Sequence, residues 1–177
     1  MNLLLHACCA PCSIMCVQSL EDEGVRPEIL WYNPNIHPLK EYKTRRLALR
    51  EFCAAEGLKF SCEGEYGLKA FLKNTLPDPY EKIKRCEFCY KSRLEFTAMY
   101  AANNGYTHFS TTLLISPYQN HEMIRDLGMQ AGKTAGAEFL YRDFRPLFRD
   151  GQNAAREKGI YMQKYCGCIF SEEERYS

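Results

Sequence analysis

The sequence predicts a single-domain α/β fold, a parallel sheet covered by helices on both faces. Three observations carry this. Short apolar or β-branched runs alternate with longer helical stretches along the whole chain. Glycines close the helical stretches at Gly24, Gly57 and Gly105. No linker, internal repeat or low-complexity segment interrupts residues 1–177.

The elements follow in order. "NLLLHA" (2–7) is a continuous apolar run, the mark of a strand buried on both faces. "PCSIMCVQSLEDEG" (11–24) opens on Pro11, which has no N–H to leave unpaired in a first helical turn, and ends on Gly24. "PEILWYN" (27–33) is a second strand, and "PLKEYKTRRLALREFCAAEG" (38–57) a long helix. "LKFSCE" (58–63) alternates at period two as a third strand. "CEFCYKSRLEFTAMYAANNG" (86–105) reads as a helix, "THFSTTLLI" (107–115) as a β-branched strand and "NHEMIRDLGMQAG" (120–132) as a helix. "EFLYRDF" (138–144) is a further strand, and a last helix runs towards "YMQKY" (161–165). The acidic "SEEER" (171–175) reads as a solvated tail.

Composition narrows the function classes. At 177 residues the chain can bury one sizeable core, and 46% hydrophobic with 25% charged residues excludes a disordered chain. A formal charge of +1 is no global nucleic-acid signature, so such a partner would have to meet a local basic patch. "MNLLLHACC" lacks a basic leader region, and its apolar run Leu3–Leu5 is too short for a signal segment; no stretch approaches a membrane span. The expected compartment is the reducing cytoplasm, with no membrane partner. There, clustered thiols more often mean metal or redox chemistry than structural bridges.

Ten cysteines are unevenly placed. Cys53 shares a helical face with Tyr42, Leu49 and Phe52, Cys62 alternates with Leu58 and Phe60, and Cys16 lies four residues before Leu20. All three are expected in the core, where a free cysteine behaves as a small hydrophobe. The remaining seven form three groups at element termini: Cys8, Cys9 and Cys12; Cys86 and Cys89; Cys166 and Cys168. The CxxC of "RCEFC" lets two thiolates reach one metal centre. Adjacent Cys8 and Cys9 can face one site from a turn. With one knuckle beside a "CC" pair, the spacing favours an iron–sulfur cluster over zinc. "CGC" can close a very small, easily reduced disulfide ring, or add two more metal ligands. "CAPC" before a helix also resembles the thioredoxin motif, which leaves five further thiols without a use.

"HACCAPCS", "YNPNIHPLKEYKTR", "RCEFCYKSRLE", "TTLLISPYQNH", "YRDFRPLFRDG" and "QKYCGC", in this order over nearly the whole chain, resemble the QueH-type epoxyqueuosine reductases of queuosine biosynthesis. The resemblance implies a Rossmann-like, HUP-type architecture. It implies two-electron reduction of the epoxide of epoxyqueuosine, at the tRNA wobble position, to the alkene. It places 4Fe-4S cluster ligands on Cys8, Cys9, Cys86 and Cys89, and a redox-active pair on Cys166 and Cys168. Cys12 is left to ligate an adjacent mononuclear iron or to assist the cluster.

Deoxygenation needs two electrons from an external donor, two protons, and an acid for the departing oxygen. Candidate acids are Tyr118, His121 and His37; Arg85, Arg93 and Gln119 are further candidates for holding substrate. The anticodon loop would meet the basic runs Lys40, Lys43, Arg45, Arg46, Arg50 and Lys82, Lys84, Arg85, Lys91, Arg93. Arginines interleaved with Phe144 and Phe148 would add stacking planes. The rival readings are a thioredoxin-like thiol–disulfide oxidoreductase using Cys9 and Cys12, and a non-catalytic zinc module. An ATP-dependent thiolase of related fold is disfavoured because the first strand ends in "CCAPC", not in a glycine- and serine-rich phosphate loop.

Overall fold

A computed structural model describes residues 1–77 and 81–177. Its strands are β1 (Leu3–His6), β2 (Glu28–Trp31), β3 (Phe60–Cys62), β4 (His108–Thr111) and β5 (Glu138–Phe139). Its helices are α1 (Ala10–Glu21), α2 (Leu39–Ala55), α3 (Leu68–Thr75), α4 (Lys82–Asn103), α5 (His121–Ala135), α6 (Phe148–Glu157) and α7 (Ile169–Tyr176). All strands are parallel, in the order β3-β2-β1-β4-β5. This is the expected Rossmann-like α/β architecture. On one face α1 packs with α2 and α6, and on the other α4 packs with α5.

The central strand explains why the sheet holds. Leu3, Leu4 and Leu5 are all buried, as are Ile29, Leu30 and Trp31 beside them and Phe109 on β4. Burying each such side chain contributes on the order of 2 kcal/mol. Strand order reverses at β1: the chain first builds outward through β2 and β3, then returns to β1's other edge with β4. The loops after β1 and β4 therefore diverge and leave a crevice at the carboxyl ends of the strands, where such sheets bind ligands.

Several elements depart from the sequence reading. The 107–115 strand stops at Thr111, whose hydroxyl accepts the Leu113 N–H at 3.2 Å and turns the chain into a 3₁₀ segment, Thr112–Ile115. The 138–144 strand shrinks to Glu138–Phe139, and the last long helix ends at Glu157, well short of 161–165. α3 was not expected; it follows Gly67 with no side-chain cap and buries only Phe71 and Thr75. "RCEFC" does not open its helix, because α4 starts at Lys82 and puts Cys86 in its second turn. "SEEER" is no tail: it lies in α7, where Glu174 pairs with Arg85 at 2.8 Å. Cys16 and Cys53 are buried as expected, but Cys62 is exposed. It is the last residue of a three-residue edge strand paired only with β2, so nothing covers it.

Close approach of α5 to the sheet depends on two glycines one helical turn apart. A Cβ at Gly128 would come within 2.5 Å of the Phe139 ring, and one at Gly132 within 2.5 Å of the Ala137 carbonyl oxygen. Alanine favours a helix over glycine by about 1 kcal/mol, yet backbone cannot yield as a side chain can. Gly132→Ala is therefore expected to be net destabilising, by roughly 1–3 kcal/mol, through overpacking. A urea titration read by circular dichroism checks this through its midpoint.

Candidate active site and metal centre

The crevice begins where β1 ends. His6 closes the strand with a fully buried ring whose Nδ1 lies 2.9 Å from Thr111 Oγ1 and whose Nε2 lies 3.1 Å from the Tyr32 carbonyl. Burial, aided by the nearby Arg93 charge, pushes its pKa down to about 4, so the ring is neutral. Cys9 then sits as the N-cap of α1 in extended backbone, with Pro11 in the first turn. That turn lets adjacent residues face one site: Cys8 and Cys9 sulfurs lie 3.7 Å apart. Cys12, in the first turn of α1, completes a group whose three sulfurs all lie within 4.8 Å of one another, and all three residues are buried.

The three thiols share charge unequally. Hydrogen bonds from Cys12 and Cys9 hold the Cys8 thiol far below its ordinary range, with help from Thr112 and Arg93 against the cost of burial. Burial pushes Cys9 up, and Cys12 rises because it donates to Cys8. Gln163 adds a donor, its Nε2 lying 2.9 Å from Cys9 Sγ and 3.4 Å from Cys12 Sγ. Buried sulfur ligands, one of them held far toward the thiolate form, are the soft donor set that iron–sulfur clusters and zinc accept. The residues fit such a group.

Cys166 links this group to three further thiols. Cys86 and Cys89 of α4, with Cys166 and Cys168, border a cavity of about 160 Å³. Cys166 also borders a neighbouring cavity of about 320 Å³ that Cys8 and Cys12 line, as do Leu113, Tyr118 and Gln119. Burial raises Cys86 and lifts Cys89 to about 12. The CGC loop is pinned from several sides. The His37 N–H donates to the Gly167 carbonyl at 2.7 Å, and Arg45 donates to the carbonyls of Cys166 and Tyr165 at 3.1 and 2.9 Å. Gly167 has φ +126°, and a Cβ there would come within 3.0 Å of Ile36 Cγ1, so only glycine fits easily.

The pair in that loop is asymmetric. A hydrogen bond from the Cys168 thiol lowers Cys166 most; the Ser171 hydroxyl, 2.9 Å away, and the Cys168 N–H add to it against burial. Together they bring it to about 5. Cys168 is pushed up as the donor of that bond. A thiolate beside a protonated thiol is the arrangement dithiol exchange uses.

Arg93 binds the groups together. It is buried on α4, with Nη2 3.0 Å from Cys89 Sγ and Nε 2.9 Å from the Cys89 carbonyl oxygen. Its charge also lowers the Cys8, Cys86 and Cys166 thiols. Among the described residues it has no carboxylate partner; it rests on the Cys89 sulfur and carbonyl oxygen and 5.9 Å from the centre of the Tyr90 ring.

The other expected site residues are scattered. Tyr118 is 84% exposed at the mouth of both cavities, edge-to-face with Phe148 at 6.0 Å. Gln119 accepts the Tyr90 hydroxyl at 2.7 Å. Arg85 lies over Phe170, 4.5 Å from its centroid, and borders the smaller cavity. His121 is buried with Nε2 3.1 Å from the Ser116 carbonyl oxygen, and lines neither thiol cavity. His37 is fully buried against Tyr66 and Phe71 and lines neither as well.

The basic runs need correcting. Arg45, Arg85 and Arg93 are buried and act inside the protein, whereas Lys40, Lys43, Arg50, Lys82, Lys84 and Lys91 are exposed. Phe144 is core and offers no stacking face. The sequence reading missed Gln163, Asn35 and the clamp made by Arg45, because nothing in a polar residue's local pattern shows that the fold buries it. A groove of about 590 Å³ between α2 and residues 158–161 has no thiol in its lining.

The protein is a Rossmann-like α/β protein with a gathering of thiols at the sheet's switch point. The model of the family described as "Epoxyqueuosine reductase QueH" matches residues 3–174, and the chain belongs to that family. It is 37% identical to the epoxyqueuosine reductase QueH of Dehalococcoides mccartyi, over 99% of this chain and 94% of that protein. It is 38% identical to the Thermotoga maritima QueH, over 98% and 92%. Among solved structures, a predicted subunit of tRNA methyltransferase from Methanocaldococcus jannaschii superposes with a TM-score of 0.51 at 15% identity. That match covers 92% of this chain and 93% of the other, a likeness of fold.

The site yields a direct expectation for pH. With Cys166 lowered to about 5, its thiolate persists above that pH and is lost below it. In fully reduced protein, iodoacetamide labelling of Cys166 followed by peptide mass spectrometry should stay near its maximal rate at pH 6.5. It should fall as pH passes below about 5, while Cys89, lifted to about 12, stays unlabelled.

Proposed function

We propose that this protein reduces the epoxide of epoxyqueuosine at the tRNA wobble position to the alkene, with residues 1–177 acting as one catalytic domain. Family membership over residues 3–174 supports the activity. One observation carries the chemistry: three buried sulfurs within 4.8 Å of one another adjoin a second thiol group that includes a low-pKa cysteine.

Cys8, Cys9, Cys86 and Cys89 would hold a 4Fe-4S cluster, with Cys12 placed to ligate it or an adjacent mononuclear iron. Such a centre supplies single electrons and Lewis acidity when bound. Everything else falls to the chain. Converting an epoxide to an alkene consumes two electrons and two protons and releases water. Closing the Cys166–Cys168 disulfide from a thiolate and a thiol releases two electrons and one proton. An external electron donor then returns the pair to its reduced form. Tyr118, whose phenol stands at the cavity mouth, is placed to protonate the departing oxygen. His121 and His37, buried off the cavities, serve the scaffold instead.

The same mouth suits an RNA loop. Tyr118 and Phe148 form an aromatic platform for a splayed base, and the exposed lysines of α2 and α4 can meet phosphates. The reducing cytoplasm is the compartment that keeps these thiols available. No described helix is long and apolar enough to cross a membrane. A thioredoxin-like reductase using Cys9 and Cys12 fits less well, since both thiols are pushed up and the low-pKa member of that group is Cys8.

Anaerobic protein, a chemical reductant and an anticodon stem-loop carrying epoxyqueuosine test the reading. Nucleoside mass spectrometry should show a product lighter by one oxygen. Cys86→Ser and Cys89→Ser should each lose the brown absorbance and turnover together. A colourless variant that is fully active contradicts the role given to these thiols.

A further inference from the structure

Two asparagines of one loop contrast sharply. After β2 the chain runs through Asn33, Pro34, Asn35 and Ile36 to a cis His37–Pro38 bond. Asn33 is buried and satisfied: its Nδ2 donates to the Ala7 carbonyl at 2.9 Å, and its Oδ1 lies 3.2 Å from His6 Nε2. Asn35 is 3% exposed, and its Oδ1 has no partner among the described residues. Buried carboxamides almost always find partners, so one without calls for an explanation. Asn35 also borders the cavity formed with Cys86, Cys89, Cys166 and Cys168.

A second polar group faces the same space. Gln119 spends its Oε1 on the Tyr90 hydroxyl, which leaves its NH2 as a donor at the cavity wall. The cavity thus presents two carboxamides beside the thiols. A hydroxyl gives and takes a hydrogen bond at once and suits both. The ring of epoxyqueuosine that bears the epoxide also bears hydroxyls.

We infer that Asn35, assisted by Gln119, recognises a hydroxyl of the epoxide-bearing ring and seats that ring against the thiols. Resting on the proposed reductase activity, this adds a specificity-determining group to it. Asn35 chooses substrate, and the sulfur centres reduce it.

Asn35→Leu separates this role from a structural one. Leucine keeps the volume and removes a buried carboxamide oxygen that has no partner among the described residues, so the midpoint of thermal unfolding should hold or rise. With anaerobic holoenzyme and the epoxyqueuosine stem-loop, KM should rise about tenfold or more while kcat stays within about threefold and iron content is unchanged. Gln119→Leu should raise KM in the same sense, which keeps the test alive should the Asn35 variant fail to fold. Wild-type holoenzyme should also bind the epoxyqueuosine stem-loop more tightly than one whose wobble base carries only the aminomethyl group. Asn35→Leu should bind the two alike.

An unchanged KM in both variants overturns the inference, as does wild-type protein that does not discriminate between the two RNAs. A lowered unfolding midpoint with unchanged KM overturns it too, showing that Asn35 serves the fold. Failure of wild-type protein to reduce epoxyqueuosine would instead remove the underlying activity.

Discussion

A buried guanidinium among sulfur atoms is the constraint on which the site depends. Arg93 is almost wholly enclosed, pairs with no carboxylate among the described residues, and lies 3.0 Å from Cys89 Sγ. A charge removed from water is very costly unless partners offset it; here these are the Cys89 sulfur and carbonyl oxygen, the Tyr90 ring 5.9 Å away, and the Cys8 and Cys166 thiols that its charge lowers. The same electrostatics runs the other way: thiolates clustered within 4.8 Å repel one another unless cations stand among them. Arg45 makes the second half of the arrangement. From α2 it holds the CGC backbone by two carbonyls, while Glu41 takes its Nε at 2.6 Å.

Topology explains why these groups meet. The thiols come from the ends of β1 and α4 and from a loop that returns late in the chain, over 150 residues after Cys8 in the sequence. A parallel sheet puts the carboxyl ends of all its strands on one rim, and reversal of strand order at β1 opens that rim. The 3₁₀ turn after β4 then carries Leu113 to the cavity walls and leads on to Tyr118 and Gln119.

Much of this was legible in the sequence. The unbroken Leu3–Leu5 run marked a strand buried on both faces, and proline and glycine bounded the first helix. Grouping along the chain set seven cysteines apart from Cys16 and Cys53, both of which the structure buries in the core, although Cys86 and Cys89 lie in the second and third turns of α4 and not at its end. Other features depend on context that a local pattern lacks. Cys62 alternates like a core residue, yet it ends an edge strand. Arg45, Arg85 and Arg93 look like surface charge in a run of lysines and arginines, and only the arrival of the CGC loop and α7 against α2 and α4 shows them buried. Cys12, to which the motifs give no fixed role, shares a buried sulfur group with Cys8 and Cys9. Asn35 resembles any loop asparagine until its missing partner is seen.

The most direct test is chemical analysis of protein purified and reconstituted without oxygen. Iron, zinc and acid-labile sulfide are measured per chain, alongside the thiols that remain free to react. If the sulfurs at the rim of the sheet hold a cluster, about four irons and four sulfides should accompany each chain. The thiols of Cys8, Cys9, Cys86 and Cys89 should then be shielded until acid releases the metal. Stoichiometric zinc without sulfide, or protein that holds neither iron nor sulfide after reconstitution, would contradict the account.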